Sequence, residues 1–256
     1  MHIAVFSDVH GNPYACEAVL ESIKAQDPFE AVVFAGDLCL GGSDTARCVN
    51  MLREAEVISI YGNTEVYINY PEVYPKDENH YRKWDKLKPA VEWVRSKLTS
   101  QQLNWLSSLP FRHSFFPTQD AKDELLVVHA NPKNIEIIIY PAEEQQQALL
   151  GKVIQPDDDP DLINTLKDTQ AGTLAFGHYH YPSQRNWRDK LLVNVGSCSL
   201  PGVNYDPRAH FSSFTFTNGK WSVDQQTVEY DVDREIYALR NSDMPAKDFF
   251  IRYFGV

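Results

Sequence analysis

The sequence is poor in positive charge. Its 24 lysine and arginine residues are outnumbered by 35 aspartate and glutamate residues, which gives a formal net charge of -11. Because binding to long nucleic acid usually needs a basic face, we expect no long nucleic acid partner. A small phosphoester remains compatible with this charge, since bound metal ions would reverse the sign of the potential inside a cleft.

Cysteine is also scarce, with four residues in a chain of 256 and no Cys-x-x-Cys pair. The four residues are Cys16, Cys39, Cys48 and Cys198. In a chain of this length, such spacing favours reduced, buried thiols over a disulfide framework. Cys39 and Cys198 lie beside the motifs described below, and we expect both to be inert.

Long apolar runs are missing. No run approaches the roughly 20 residues that a membrane-spanning helix needs, so we expect a soluble protein without a membrane partner. A strand pattern begins directly after Met1 and leaves no room for a secretory leader, which argues for the cytoplasm. The length predicts a single domain over residues 1–256, with a helical insertion at about 66–110, and leaves a homo-oligomer open.

Short apolar strands that end in polar side chains are the main positive feature. Residues 3–6 lead into Asp8 and His10, whose spacing would place both side chains on one face of a strand. Two more runs follow this pattern, residues 31–35 before Asp37 and residues 57–60 before Asn63. Helical patterns over 13–24 and from Ser43 or Asp44 to 52 predict β-α-β units, which bind ligands at the carboxyl ends of their strands.

The second half of the chain repeats the pattern and adds antiparallel strands. Apolar runs at 125–128 and 173–176 lead into His129 and into the pair His178 and His180. Further strands are expected at 111–116 and 191–197, and Asn218-Gly219 between aromatic residues predicts a hairpin. We therefore expect two sheets packed face to face between helices, around one core that contains Val5, Val33, Val127 and Ala175.

Residues 66–110 interrupt the alternation of strands and helices. Helices are predicted over 88–98 and 99–106, and the spacing of their apolar residues favours packing on a sheet. A lid over the site is the alternative. The acidic run at 157–159 is interpreted as a solvated turn before a helix at 161–167, rather than as a metal site.

Seven oxygen or imidazole donors thus follow strands or their turns, namely Asp8, His10, Asp37, Asn63, His129, His178 and His180. This donor set suits two divalent metal ions, with manganese expected and iron, zinc or nickel as alternatives, and a carboxylate such as Asp37 can bridge them. Two such ions would clamp ester oxygens and lower the pKa of a bridging water, which favours phosphoryl chemistry.

The order of these motifs resembles the calcineurin-like metallophosphoesterase superfamily. The resemblance implies an α/β fold, a four-layer α/β/β/α sandwich of two mixed sheets flanked by helices. It also implies one metal held by Asp8, His10, Asp37 and His180, and another held by Asp37, Asn63, His129 and His178. Residues 194–197 (Asn-Val-Gly-Ser) and 206–209 (Asp-Pro-Arg-Ala) look like the small bacterial and archaeal phosphodiesterase branch.

This resemblance implies a hydrolase, a dinuclear metal-dependent phosphoesterase in which a metal-activated water attacks its substrate. A phosphodiester of a small or nucleotide-like compound is the favoured substrate. The catalytic residues would be Asp37, Asn63, Thr64 and His129. The alternatives are a protein or dinucleoside-polyphosphate phosphatase, and a non-catalytic metal-binding scaffold of the same fold.

Thr64 departs from the family pattern. In the family this position usually carries a histidine, which is thought to contact the phosphate and assist the leaving group. A threonine hydroxyl can hydrogen-bond a phosphate oxygen, but it cannot act as an acid near pH 7. We expect a slow enzyme, or one limited to esters whose leaving group needs no proton.

Other polar residues are weaker candidates. His210 could replace the missing acid, although packing is the preferred interpretation. Arg208 could bind a substrate phosphate and Lys133 could line the loop of His129, with salt bridges as the preferred alternative. Structural or surface positions are expected for the remaining histidines, His2, His80 and His113.

Overall fold

The computed structural model describes residues 1–71, 78–202 and 206–255, and of residues 78–86 the backbone alone. Its strands, numbered in chain order, are β1 His2–Phe6, β2 Ala31–Phe34, β3 Ile58–Ser59, β4 Arg112–Phe115, β5 Leu125–Val128, β6 Thr173–Phe176, β7 Ser183–Trp187, β8 Lys190–Asn194, β9 Ala209–Thr217 and β10 Lys220–Val228.

The helices are α1 Pro13–Lys24, α2 Thr45–Glu54, α3 Asn63–Asn69, α4 Glu78–Lys97, α5 Ser100–Ser108, α6 Glu143–Leu150, α7 Pro160–Leu166, α8 Val232–Asn241 and α9 Lys247–Ile251. Among the fully described residues, 3-10 turns lie at Ala121–Asp123 and Arg252–Phe254. Within the described ranges, none of the helices is long and apolar enough to cross a membrane.

The strands form two five-stranded mixed sheets. The first has the order β10-β9-β1-β2-β3, in which β1, β2 and β3 are parallel and β9 runs antiparallel to β1. The second has the order β4-β5-β6-β8-β7, with β5, β6 and β8 parallel and an antiparallel strand at each edge. The connections between the parallel strands bring their carboxyl ends to the same edge of each sheet.

The two sheets share one apolar core, which confirms the expected sandwich. Val5, Val33, Val127 and Ala175 all belong to this core, together with Phe214 of β9. Strands buried on both faces need continuous apolar runs, which is why these segments could be identified in the sequence. The predicted hairpin at Asn218 is confirmed as well, since β9 and β10 pair on either side of that exposed turn.

Local capping fixes where the helices begin. The Asn12 side chain accepts hydrogen bonds from the backbone of Tyr14 and Ala15, so α1 begins at Pro13. Of the two predicted caps for α2, Asp44 is the one used. Asp159 caps α7 in the same manner, while Asp157 pairs with Arg185. The acidic run is therefore a turn and helix start, as interpreted from the sequence.

The helices of the middle segment pack against α2 and α3. α4 begins ten residues earlier than predicted, since its first half lacks the apolar spacing that marks a buried face. Val91, Val94 and Leu98 are buried in the core between the sheet and its helices, which favours packing over a lid. The side chain of His80 and part of the predicted lid, residues 72–77, lie outside the described part of the chain. A single domain with an insertion here stays a prediction.

Candidate metal centre

The seven predicted donors converge at the carboxyl ends of the strands, although not by the route expected. The alternation of side chains along β1 cannot place Asp8 and His10, because the strand ends at Phe6. Instead, both residues adopt left-handed backbone conformations, with φ of 58° and 49°. Asp37, His178 and His180 do the same, and such strained positions are typical of functional sites.

Glycines allow the strand tips to approach one another. A Cβ atom at Gly62 would collide with the Asp37 carboxylate, and one at Gly177 would collide with the Ser7 hydroxyl and the Asp8 carboxylate. The two sheets can therefore present their polar ends to a common space only because these positions carry no side chain.

One group of donors combines Asp8, His10 and His180. The Nε2 atom of His180 lies 3.2 Å from Oδ1 of Asp8, and the Nε2 atom of His10 lies 3.8 Å from the same oxygen. The two Nε2 atoms are 3.0 Å apart. This group joins the first sheet, through β1, to the second sheet, through β6.

A second group combines Asp37, His129 and His178. The Nε2 atom of His129 lies 3.4 Å from Oδ1 of Asp37, 3.1 Å from Oδ1 of Asn63 and 3.2 Å from Nδ1 of His178. Asp37 also approaches the first group, since its Oδ2 atom is 3.8 Å from Nε2 of His10. A single carboxylate is therefore shared by both groups.

Backbone carbonyls fix the tautomers of the four imidazoles. Nδ1 of His10 donates to the Leu40 carbonyl (2.9 Å), and Nδ1 of His180 donates to the Leu200 carbonyl (3.0 Å). Because a carbonyl only accepts, the Nε2 atom of each ring carries a lone pair when the ring is neutral. These two lone pairs point at each other, and a cation between them would relieve the repulsion.

The second pair of imidazoles follows the same rule. Nδ1 of His129 donates to the Ala35 carbonyl, and Nε2 of His178 donates to the Glu136 carbonyl, each at 2.9 Å. When the rings are neutral, the facing atoms, Nε2 of His129 and Nδ1 of His178, are thus left as acceptors. Two clusters of inward-facing lone pairs beside buried carboxylates fit divalent cations.

The electrostatics of the cluster also favour added positive charge. Burial opposes ionisation of Asp8 and Asp37, but the imidazoles of His180 and His129 hold the pKa of the respective carboxyls below the usual range. Burial, together with the charge on His129, lowers the pKa of His178 to about 4. Burial disfavours charge on His129 as well, yet the Asp37 carboxylate raises its pKa to about 9. Without a metal, the buried carboxylates therefore favour a proton on His129, and a bound divalent cation would take the place of that proton.

Sequence reasoning gave no role to Glu65, which is buried beneath Asp37. Its carboxylate accepts hydrogen bonds from the backbone amides of Asp37 (2.9 Å), Leu38 (2.8 Å), Cys39 (3.1 Å) and Gly62 (2.7 Å). This network joins the loop after β2 to the start of α3. Glu65 therefore positions Asp37 without reaching the cluster itself.

Replacing Glu65 with glutamine should weaken this support. One amide oxygen cannot serve four backbone donors, and the new NH₂ group would face N–H groups. Each unsatisfied buried donor costs about 1–3 kcal/mol, so we expect the free energy of unfolding to fall by roughly 2–4 kcal/mol. Urea denaturation measures this. The exposed Glu54→Gln change on α2 is the control, and equal losses in both variants would contradict the role of Glu65.

Thr64 is the second residue of α3 and lies beside the cluster. Its backbone N–H donates to Oδ1 of Asp37 (2.9 Å), and its hydroxyl donates to Oε1 of Glu65 (3.0 Å). The hydroxyl is thus already engaged on the side away from the imidazoles. Position 64 therefore contributes a backbone donor, rather than an acid, to the site.

The other polar candidates lie elsewhere. Arg208 pairs with Asp206 and Lys133 with Asp168, both at 2.8 Å, which confirms the preferred alternative for each. His210 is buried within β9 and is absent from the described residues that line the cleft over the cluster. It is therefore a poor replacement for the missing acid. Cys39 and Cys198 are buried, as predicted, and burial raises the pKa of both thiols.

A cleft of about 340 Å³ opens over the two groups. Its lining includes residues that the sequence did not single out, in particular Tyr67 of α3, Glu136, and Phe249 and Tyr253 near the C-terminus. No sequence spacing connects these residues to the donors. The volume is in the range of small-molecule sites.

The fold and the donor groups together define a metallophosphoesterase. The chain belongs to the calcineurin-like phosphoesterase superfamily, since the family model of that domain matches residues 1–217. It is 25% identical, over 256 residues, to an uncharacterized protein of Methanocaldococcus jannaschii, a match that covers 95% of this chain and 93% of the relative.

Solved structures give the same fold. A metallophosphoesterase from Sphaerobacter thermophilus superposes with a TM-score of 0.70 at 22% identity, covering 100% of this chain and 99% of that one. A hypothetical protein from Pyrococcus horikoshii OT3 superposes with a TM-score of 0.76 at 19% identity, covering 99% and 97%. The predicted α/β sandwich and the family resemblance are thereby confirmed.

Proposed function

We propose that this protein is a dinuclear metal-dependent phosphoesterase that hydrolyses phosphodiesters of small or nucleotide-like compounds. The observation that carries the proposal is the pair of donor groups, each with inward-facing lone pairs, that share the Asp37 carboxylate. A non-catalytic scaffold would not need all seven donors, and here every one of them faces the cluster or lines the cleft above it.

The residues divide into two ligand sets. Asp8, His10, Asp37 and His180 would hold one ion, and Asp37, Asn63, His129 and His178 would hold the other. When bound, two divalent cations, with manganese the first choice, would neutralise the phosphate charge and supply hydroxide near neutral pH. The backbone carbonyls of Leu40, Leu200, Ala35 and Glu136 keep the imidazoles oriented for this task.

Metal content and turnover test the proposal together. Protein reconstituted with Mn²⁺ should carry close to two ions per chain by elemental analysis. It should hydrolyse bis(4-nitrophenyl) phosphate faster than 4-nitrophenyl phosphate. One ion or none in folded protein would rule out the dinuclear site, and faster turnover of the monoester would rule out the diester preference.

The missing acid at position 64 gives a second test. Because the Thr64 hydroxyl donates to Glu65, no group there can protonate the departing oxygen. Turnover should therefore depend steeply on leaving-group pKa. If the ring reaches the ester oxygen, Thr64→His should raise the turnover of esters with poor leaving groups by up to roughly 10²-fold. Esters with good leaving groups should gain little.

The measurement is turnover across aryl phosphodiesters that differ only in leaving-group pKa, at equal metal content. Thr64→Val is the matched control, since it keeps the shape and the backbone donor but adds no acid. If wild-type turnover is insensitive to leaving-group pKa while chemistry limits the rate, another residue acts as the acid and this account of position 64 is wrong.

A further inference from the structure

The cleft over the donor groups has two chemically different walls. One wall carries the imidazoles and carboxylates. The other is apolar and includes Leu40, Leu200, Phe249, Phe250 and Tyr253. Leu40 and Leu200 belong to both walls, because their carbonyls orient His10 and His180 while their side chains line the cleft. The apolar wall therefore begins directly at the first donor group.

The outer part of this wall comes from α9 and the 3-10 turn that follows it. Phe250, Ile251 and Phe254 are buried in the core beneath the first sheet, which anchors the segment. A methyl group placed at Gly41 would lie 3.4 Å from Cβ of His10 on one side and 3.4 Å from the Phe250 ring on the other. The segment is thus packed against the loop that orients His10.

The anchoring leaves two aromatic rings on the cleft side. Phe249 and Tyr253 are each 39% exposed, and their ring centroids lie 5.5 Å apart at an interplanar angle of 79°. Aromatic side chains that line a cleft make favourable contacts with a planar aromatic group, which can stack on one ring or meet it edge to face. Their place in the lining of the cleft assigns that surface to whatever the donor groups bind.

We propose that this aromatic wall, formed by Phe249 and Tyr253, binds a flat aromatic group on the alcohol part of the phosphoester substrate. The inference rests on the proposed function and adds the substrate class. A substrate with its phosphate on the metal side and a planar ring, such as a nucleobase, on the α9 side matches both walls of the cleft. A phosphoester with only a small alkyl group, such as methyl, would leave the rings in water.

Binding of phosphonates to the Mn²⁺-loaded protein tests the proposal, since the carbon–phosphorus bond resists hydrolysis. The probes are methylphosphonate, benzylphosphonate and cyclohexylmethylphosphonate, which has the bulk of the benzyl compound without its flat ring. Because stacking on aromatic side chains adds binding free energy, benzylphosphonate should bind roughly 10-fold more tightly than methylphosphonate. Calorimetry measures both affinities. Cyclohexylmethylphosphonate should fall between them.

The double variant Phe249→Ala/Tyr253→Ala should reduce the benzyl preference to about 2-fold or less while methylphosphonate affinity stays unchanged. Phe249→Leu/Tyr253→Leu keeps the apolar bulk and should lose most of the preference. Tyr237→Ala is the control, because Tyr237 is 70% exposed on α8 and outside the cleft lining.

Three results would overturn the inference while leaving the proposed function intact. They are equal affinity for methyl- and benzylphosphonate, equal affinity for the benzyl and cyclohexylmethyl compounds, and retention of the benzyl preference in the double variant. The wild type could instead form a dimer that the double variant abolishes, with no preference for the benzyl compound. That result would assign the aromatic wall to self-association. Absence of Mn²⁺-dependent methylphosphonate binding would count against the proposed function itself.

Discussion

Asp37→Asn is expected to lower phosphodiester turnover by roughly 10²–10³-fold and to reduce the bound metal below two ions per chain. Asparagine has nearly the same shape, so the amide oxygen can still accept from the backbone of Thr64. What is lost is the negative charge that lies within 4 Å of both His10 and His129. Both ion sites should weaken at once, because Asp37 is the shared carboxylate.

The comparison should be made against single-group changes. Asp8→Asn removes a carboxylate from the first group only, so we expect it to retain more of the second ion than Asp37→Asn does. Asp158→Asn, at an exposed position outside both groups, should behave as wild type. Metal content by elemental analysis and turnover at saturating Mn²⁺ give the two readouts. Full metal loading and wild-type turnover in Asp37→Asn would show that Asp37 does not bridge the two ions.

Arg185→Met is expected to lower the free energy of unfolding by roughly 3 kcal/mol. Arg185 is 2% exposed, and its guanidinium donates to the carbonyls of Tyr140 (3.1 Å) and Gln155 (3.2 Å) and to the Asp157 carboxylate. Methionine fills the space but leaves buried carbonyls without donors. The Asp157 side of the pair adds little, because that carboxylate is mostly exposed.

Urea denaturation measures the loss, and Arg188→Met provides the matched control. Arg188 follows Arg185 by three residues and lies over the ring of the adjacent Trp187, with its guanidinium carbon 4.5 Å from the ring centroid. A surface contact of this kind is worth about 0.5–1 kcal/mol. Similar losses for both arginines would contradict a role for Arg185 in holding residues 140–157. Arg185→Lys should lower the free energy of unfolding by an intermediate amount, since one ammonium group cannot reproduce the planar set of N–H donors of the guanidinium.

The strands that could be predicted from the sequence are those that are buried on both faces. β1, β2, β5 and β6 are continuous apolar runs that stop at polar residues, so periodicity and composition agree on their ends. β7 was missed because Ser183–Trp187 is largely polar and alternates between buried and exposed residues. Its inward-facing Arg185 is buried only because carbonyls from residues distant in sequence surround it. The local sequence pattern cannot predict such contacts.

The donor groups were predictable for a related reason. Ligand-type side chains follow the strands directly, and parallel connections place the ends of those strands together. Glu65 was not given a role because its partners, Asp37 and Leu38, lie 28 and 27 residues away and are met only in the folded chain. Phe249 and Tyr253 follow no strand, so only three-dimensional packing shows that they belong to the cleft.

The position of β1 constrains the order in which the chain can fold. β1 is the first strand in sequence, yet it lies inside its sheet between β2 and β9. Its pairing with β9 joins His2 to Thr215 and Ile3 to Phe214, across more than two hundred residues. During synthesis, the edge of β1 that pairs with β9 stays unpaired until β9 has been made. About half of the backbone hydrogen bonds of β1 are missing until then. Contacts this distant slow folding and leave the apolar strand open to wrong partners. Most of the chain must therefore leave the ribosome before β1, which leads into Asp8 and His10, has both of its neighbours.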